Sequence, residues 1–373
     1  MLKILKKIYT HRVIKNDMQV RHSKQEKIDY INSFSEPKDD IERSYFQYCC
    51  QKWDKFGKLE IIFSNLVSAV IYIPYYFYYR YMNNHMNRPM QRLQKYPYVS
   101  TEKLQGIPDE YADSYIVPDS YRGILTREDS IFLKNISGKY PFSFFFRFKI
   151  MCRVANYSYI IRYYAPKIIF CAAEYSYTSS VLTMYCEKMG VELDNVMHGE
   201  KIFDVQDAFS RFSKFYVWDD FYIGLFLSLR AEQTKYVINP MKVYNQKAKK
   251  AKENSNHYTY YLQAQTIDQL RIIKNKFESM KVNYLVRPHP IYSTDDIKKV
   301  FDDKHIESNN IDIWESIERA GNVVSIDSTV NYQAYMAGIN VVLDDISDPV
   351  FFSNLIECEY IMIRKPHQLL SEL

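Results

Sequence analysis

The sequence predicts an α/β fold of two parallel-sheet units, and three observations carry that prediction. From Lys167 onward, short apolar runs alternate with helical periods, the pattern of strand and helix units whose sheets are covered on both faces. The alternation is interrupted once, over 240–256, by a stretch with five lysines (Lys242, Lys247, Lys249, Lys250, Lys252) and no strong period, which reads as a linker. Polar side chains gather directly after the apolar runs, at the carboxyl ends of predicted strands, where open α/β sheets place their ligands.

The elements follow in order. Residues 1–60 are polar and charged, with helical stretches but no clear period. Residues 61–79 contain no charge and end at Arg80, a length that barely spans a bilayer. Pro74 and the dense tyrosines argue against a simple span. The basic stretch that follows (His85, Arg88, Arg92, Lys95) suits a segment over 61–95 lying at an anionic membrane surface, the competing expectation being a core helix. Residues 142–150, rich in phenylalanine, fit the same apolar surface. Strands are then expected over 167–173, 193–197 and 215–218, with helices over 178–189, ended by Gly190, and 221–230. Beyond the linker come a strand over 258–263, a helix over 266–280, a strand over 282–286, and helices around 294–301 and 312–320. A strand over 322–326, a helix over 330–337 capped by Gly338, and a strand over 339–343 complete the unit. The expected division is a first domain over 1–240, a linker over 241–256 and a second domain over 257–373, two Rossmann-like units with a cleft between them.

Composition narrows the function. A chain of 373 residues with 47% hydrophobic and 25% charged residues has room for two globular cores. The net charge of +5 is modest, and its basic runs are not interleaved with a nucleic-acid-binding motif, so no nucleic-acid partner is expected. The six cysteines form neither a C-x-x-C pair nor a zinc spacing and read as reduced thiols of a cytosolic protein. The basic N-terminus lacks the apolar run and cleavage site of a signal peptide.

The chemistry concentrates in two places. In the second unit, Arg287-Pro288-His289-Pro290 follows a buried strand as a stiff cationic loop, and Ser325-Ile326-Asp327-Ser328-Thr329 leads from the next strand into a helix. A cationic loop suits a phosphate, and so do hydroxyls and backbone N–H groups at a positive helix end. Ser328 equally suits a plain N-cap, and Arg287 a solvated charge. In the first unit, His198-Gly199-Glu200 follows a strand, with Asp204 beyond it and Glu174 at the end of the preceding strand. An imidazole and a carboxylate flanking a glycine have the makings of a general base. No Asp-x-Asp stands at a strand end and no spacing suggests a metal, so a leaving phosphate is expected to be neutralised by His289, with Arg287 and the Ser328/Thr329 helix end.

The order His198-Gly199, Arg287-Pro288-His289-Pro290, Ser328-Thr329 resembles the GT-B glycosyltransferases of bacterial surface polysaccharide synthesis, over roughly residues 165–345. His289-Pro290 and Ser328-Thr329 resemble the His-Pro and Ser-Ser or Ser-Thr motifs with which bacterial sialyltransferases bind the CMP part of their donor. The teichoic-acid glycerophosphotransferases are similar too, with a His-Gly and an Arg-x-His-Pro. The resemblance implies two Rossmann-type domains facing across a cleft behind a helical N-terminal extension. It implies an inverting, metal-independent transfer without a cofactor, moving sialic acid or a related nonulosonic acid from a CMP donor. The acceptor would be a hydroxyl of a capsule, O-antigen or lipooligosaccharide glycan, free or lipid-linked, at the inner face of the cytoplasmic membrane. A CDP-glycerol or CDP-ribitol phosphotransferase, a UDP-sugar transferase and a non-catalytic assembly protein remain alternatives. The sialyltransferases draw their base from an acidic pair followed by glycine. Here the sequence is His-Gly-Glu, and the base is either His198 or Glu200. Arg287, Pro290, Ser325, Asp327, Ser328 and Thr329 fall on the donor side, Glu174 and Asp204 on the acceptor side.

Overall fold

The computed structural model describes residues 21–86, 95–104, 106–118, 123–241, 256–290, 292–293 and 295–373. The lysine-rich stretch read as a linker lies almost entirely outside them, as do the basic residues Arg88 and Arg92. The described residues divide into two compact units, one of those within 25–198 and 204–240, the other of those within 241–373 with 199–203 and 21–24. The short segment 199–203 thus leaves the first unit's strands and packs with the second, through a turn at Gly199, whose φ of +70° favours glycine.

The larger unit opens with three helices, α1 (Lys24–Asn32), α2 (Asp40–Lys55) and α3 (Lys58–Met86). Strands β1 (Tyr98–Ser100) and β2 (Tyr115–Ile116), helices α4 (Arg127–Lys139) and α5 (Phe144–Tyr164), strand β3 (Ile168–Cys171) and helix α6 (Ser179–Lys188) follow. Strands β4 (Glu192–Val196), β5 (Lys214–Val217) and β6 (Lys235–Ile238), with α7 (Asp220–Ser228) after β5, complete the unit. Its sheet runs β2-β1-β3-β4-β5-β6, parallel throughout. Sequence periodicity left β1, β2 and β6 unseen because each is two to four residues long and carries no buried alternating face.

Helix α3 is not a core helix. Its long apolar stripe (Leu59, Ile62, Phe63, Leu66, Val70, Ile73, Phe77, Tyr81) is exposed, Leu59 by 83% and Val70 by 75%. These positions recur at helical spacing, so one whole face is bare. The other side rests on α5, where Tyr75 meets Phe148 edge to face at 5.4 Å and Arg147 lies over the Tyr72 ring. The helix is long and apolar enough to cross a membrane.

The smaller unit contains β7 (His257–Tyr261), α8 (Ile267–Met280), β8 (Asn283–Arg287), α9 (Ile313–Arg319), β9 (Asn322–Ser325), α10 (Thr329–Met336), β10 (Asn340–Leu343), α11 (Pro349–Glu357) and β11 (Gln368–Leu369). Its strands are parallel in the order β11-β10-β9-β7-β8. A capping box between Thr266 and Gln269 starts α8, whose Leu270, Ile273 and Phe277 pack on Tyr260, Tyr284 and Val286 of the strands. The helix expected around 294–301 is only a short 3₁₀ turn, Asp295–Lys299. The order places a topological switch point between β7 and β9, since the chain builds β8 on one side of β7 and β9 on the other.

Candidate functional site

A pocket of about 530 Å3 opens in the smaller unit at that switch point, a size suited to a small molecule. Leu262 to Ala264 after β7, Pro288 to Pro290 after β8 and Ile326 to Val330 after β9 line it, joined by Gly199 and Glu200, Tyr292, Asn309, Ile313 and Phe351. Of the residues singled out in the sequence, Glu200, Arg287, His289, Pro290, Asp327, Ser328 and Thr329 meet here. His198, Glu174 and Asp204 belong to the larger unit. Ser325 is fully buried beneath the pocket's strand ends, with its hydroxyl on the Tyr261 carbonyl at 3.0 Å.

His289 is held rigidly. Its backbone N–H donates to Ser293 Oγ at 2.7 Å, its ring stacks on Tyr292 with centroids 4.3 Å apart, and its Nδ1 accepts the Tyr292 N–H at 3.2 Å. An accepting Nδ1 puts the ring proton on Nε2. Burial also lowers the pKa of the imidazole, so at neutral pH the ring is an uncharged donor. The prolines on both sides stiffen the loop.

Across the pocket, Ser328 caps α10 by accepting the Val330 N–H at 3.3 Å. Thr329 Oγ1 accepts the Glu200 N–H at 3.4 Å and lies 3.5 Å from where a Cβ on Gly199 would stand. Ser328 thus acts as the N-cap that its residue type allows, at the positive end of the helix.

Two carboxyls share the site. Glu200 Oε2 accepts the Tyr360 hydroxyl at 2.9 Å, while Oε1 is buried without a partner. Asn331 Nδ2 donates to the same hydroxyl at 3.1 Å, so Tyr360 relays between Asn331 and Glu200. Burial, with the charge of Asp327 nearby, pushes the Glu200 carboxyl well above the ordinary range, and the Tyr360 hydroxyl offsets this only in part. Burial pushes Asp327 up to about 6. Both carboxyls thus hold a proton more tightly than ordinary acids, and Glu200 once deprotonated is the stronger base for it.

Arg287 lines the pocket but is not a solvated charge. The side chain is buried, donating to Glu307 Oε2 at 2.9 Å and to the Ile311 carbonyl at 2.7 Å, and Ser316 holds the same Glu307 oxygen at 2.5 Å. Its guanidinium fastens the chain that follows β8 beneath the pocket. Sequence reasoning missed Tyr360, Asn331 and Glu307. Each stands alone in the sequence, 160 residues from Glu200 in the case of Tyr360, and no local pattern marks them.

In the larger unit, Glu174 is fully buried after β3 and accepts from Asn195 Nδ2 and from the His198 N–H, both at 2.9 Å. The carboxylate shapes the chain at the carboxyl end of β4 that carries the exposed His198. Asp204 caps a 3₁₀ turn through the Gln206 N–H at 3.0 Å and pairs with Lys55 at 3.3 Å. Burial alone would raise Asp204, but Lys55 and Lys27 outweigh it and hold the carboxyl below the usual range. No group of three or more His, Cys, Asp or Glu side chains suited to a metal occurs among the described residues.

No family model matches the chain, and no curated protein does. Among solved structures, the wall teichoic acid polymerase TagF aligns at 8% identity and a TM-score of 0.42, over 84% of this chain and 86% of that one. A variant of TagF soaked with CDPG aligns at 9% identity and 0.39, over 81% and 84%. At those scores the likeness says nothing about activity, and the fold stands on its own parallel sheets.

Proposed function

We propose that the protein is a transferase that binds a nucleotide-activated donor in the pocket of the smaller unit and passes its activated group to a hydroxyl acceptor. The observation that carries this reading is the meeting, at one switch point, of a rigid imidazole donor, a helix N-terminus and a carboxyl pair whose proton affinity is raised. His289 Nε2–H donates to the phosphate of the leaving nucleotide, and the α10 end stabilises the same charge. Glu200 takes the acceptor proton as the acceptor oxygen bonds to the carbon or phosphorus under attack. The bond from that centre to the nucleotide phosphate breaks, and its electron pair leaves with the phosphate. His198 is the second candidate base, on the larger unit.

The motifs in the chain suggest a CMP-linked nonulosonic acid as donor. The alternative is a diphosphate donor, a CDP-linked alditol or a UDP-sugar, whose two phosphates the His289 loop and the α10 end would hold one each. The acceptor is a bacterial surface glycan, and the bare face of α3 supports a place at the inner surface of the cytoplasmic membrane. Incubation of purified protein with CMP-, CDP- and UDP-linked donors, read as nucleotide release and as heat protection, tests the reading. Release or protection by one nucleotide class assigns the donor. A panel in which no nucleotide protects the fold removes the transferase reading.

A further inference from the structure

The larger sheet has its own switch point. Its order places β1 between β2 and β3, so ligands of this unit are expected beside the loops that leave β1 and β3. Helix α5 leads into β3, and the loop that leaves β3 carries Glu174 and the buried Tyr177. Lys149 of α5 sets its ammonium 4.2 Å from the centre of the Tyr177 ring. Arg153, one turn on and exposed, lies within electrostatic reach of Tyr177 and of Cys171 at the end of β3. Two cations one turn apart on a helix repel each other. Neither has an ion pair or a hydrogen bond among the described residues, whereas Arg147 and Arg162 of the same helix are bonded.

We propose that Lys149 and Arg153 form an anion site beside the loop that leaves β3 and that it takes a phosphate ester, the group by which the acceptor is held. Tyr177 braces the Lys149 ammonium from below, and the exposed guanidinium supplies the planar donors that phosphate oxygens fit. The lowered pKa of Lys149, about 8, follows from burial and from Arg153, and a bound anion relieves both. The face of α5 one residue away carries Phe148 against Tyr75 of α3, so the bare apolar helix flanks the site. The phosphate could arrive on a lipid or on a soluble glycan, and the charge chemistry is the same. That it belongs to an acceptor rests on the transferase reading. The anion site itself does not.

The test uses the full chain without donor, so that it can fail or succeed independently of transfer. Binding is measured to inorganic phosphate by calorimetry, and to phosphatidylcholine vesicles with and without polyprenyl phosphate by co-sedimentation. Lys149→Met and Arg153→Gln should each weaken the phosphate-dependent binding about tenfold, the scale of one charge-assisted contact, and Lys149→Arg should keep it. Phosphate held in the smaller unit's pocket is indifferent to these changes and remains as an unaltered component. A loss confined to polyprenyl phosphate vesicles supports the site with a lipid-borne ligand, and a loss in both arms supports it for the phosphate group alone. Wild-type and variant binding that agree in both arms overturn the proposal. Arg153→Gln, at an exposed position, decides the matter even if Lys149→Met does not fold.

Discussion

Glu174, fully buried, and Glu200, half-buried with one carboxyl oxygen closed off from solvent, stand in two different units, and they are built for opposite uses. Both oxygens of Glu174 accept hydrogen bonds, from Asn195 and from the His198 backbone, and the carboxylate holds a loop in place. Glu200 has one oxygen on Tyr360 and the other buried without a partner, next to a second acid. A satisfied buried carboxylate stabilises a fold, and one left half unsatisfied costs stability. That cost persists where the group acts on something not yet bound, which is the physical reason to look for chemistry at Glu200 and architecture at Glu174.

Substituting each glutamate by glutamine separates the two uses. Glu200→Gln should lower turnover by roughly two to four orders of magnitude, the range for losing a general base, with no loss of thermal stability. Glu174→Gln should cost about 1–3 kcal/mol, because an amide cannot accept at both positions. Nucleotide release and calorimetry on both variants check this. A Glu200→Gln enzyme with wild-type turnover would pass the base role to His198. His289→Ala should cut turnover by about two to three orders of magnitude while the fold survives, since one preorganised donor to the leaving phosphate is lost.

The units also differ in what they leave uncovered. Replacing Phe63, Ile73 and Phe77 by serine should weaken binding to anionic vesicles by at least about tenfold, with turnover on a soluble acceptor unchanged. Unchanged sedimentation with vesicles would mean that the bare face of α3 meets something other than lipid. The smallest effect expected is on stability against pH. Asp327 has a pKa raised from the usual carboxylate value to about 6 in the folded chain. Between the unfolded value near 4 and about 6 the folded state binds more protons than the unfolded one, so stability falls as pH rises through that window. Asp327→Asn should remove the fall and raise the melting temperature at neutral pH by a few degrees, on the order of 1 kcal/mol.

The parallel strands of the smaller unit were legible in the sequence because they are buried on both faces and read as apolar runs, and its helices because Thr266, Ser328 and Gly338 mark their ends. The His289 loop and the Ser328-Thr329 turn were legible for the same reason, since they stand directly after such runs. Strands β1 and β2 were not, being too short to show a period, nor was β6, whose residues are only partly covered and form no buried apolar run. Partnership across the chain was not legible either. That Arg287 is bound to Glu307, that Tyr360 and Asn331 reach Glu200, and that the helix carrying the charge-free stretch 61–79 turns its apolar side outward depend on which surfaces meet after folding. Residue type and local spacing determine where the chain turns and which side chains stand at the strand ends. Burial and long-range pairing decide which of them are left with chemistry to do, because only packing sets the desolvation and the partner of each charge.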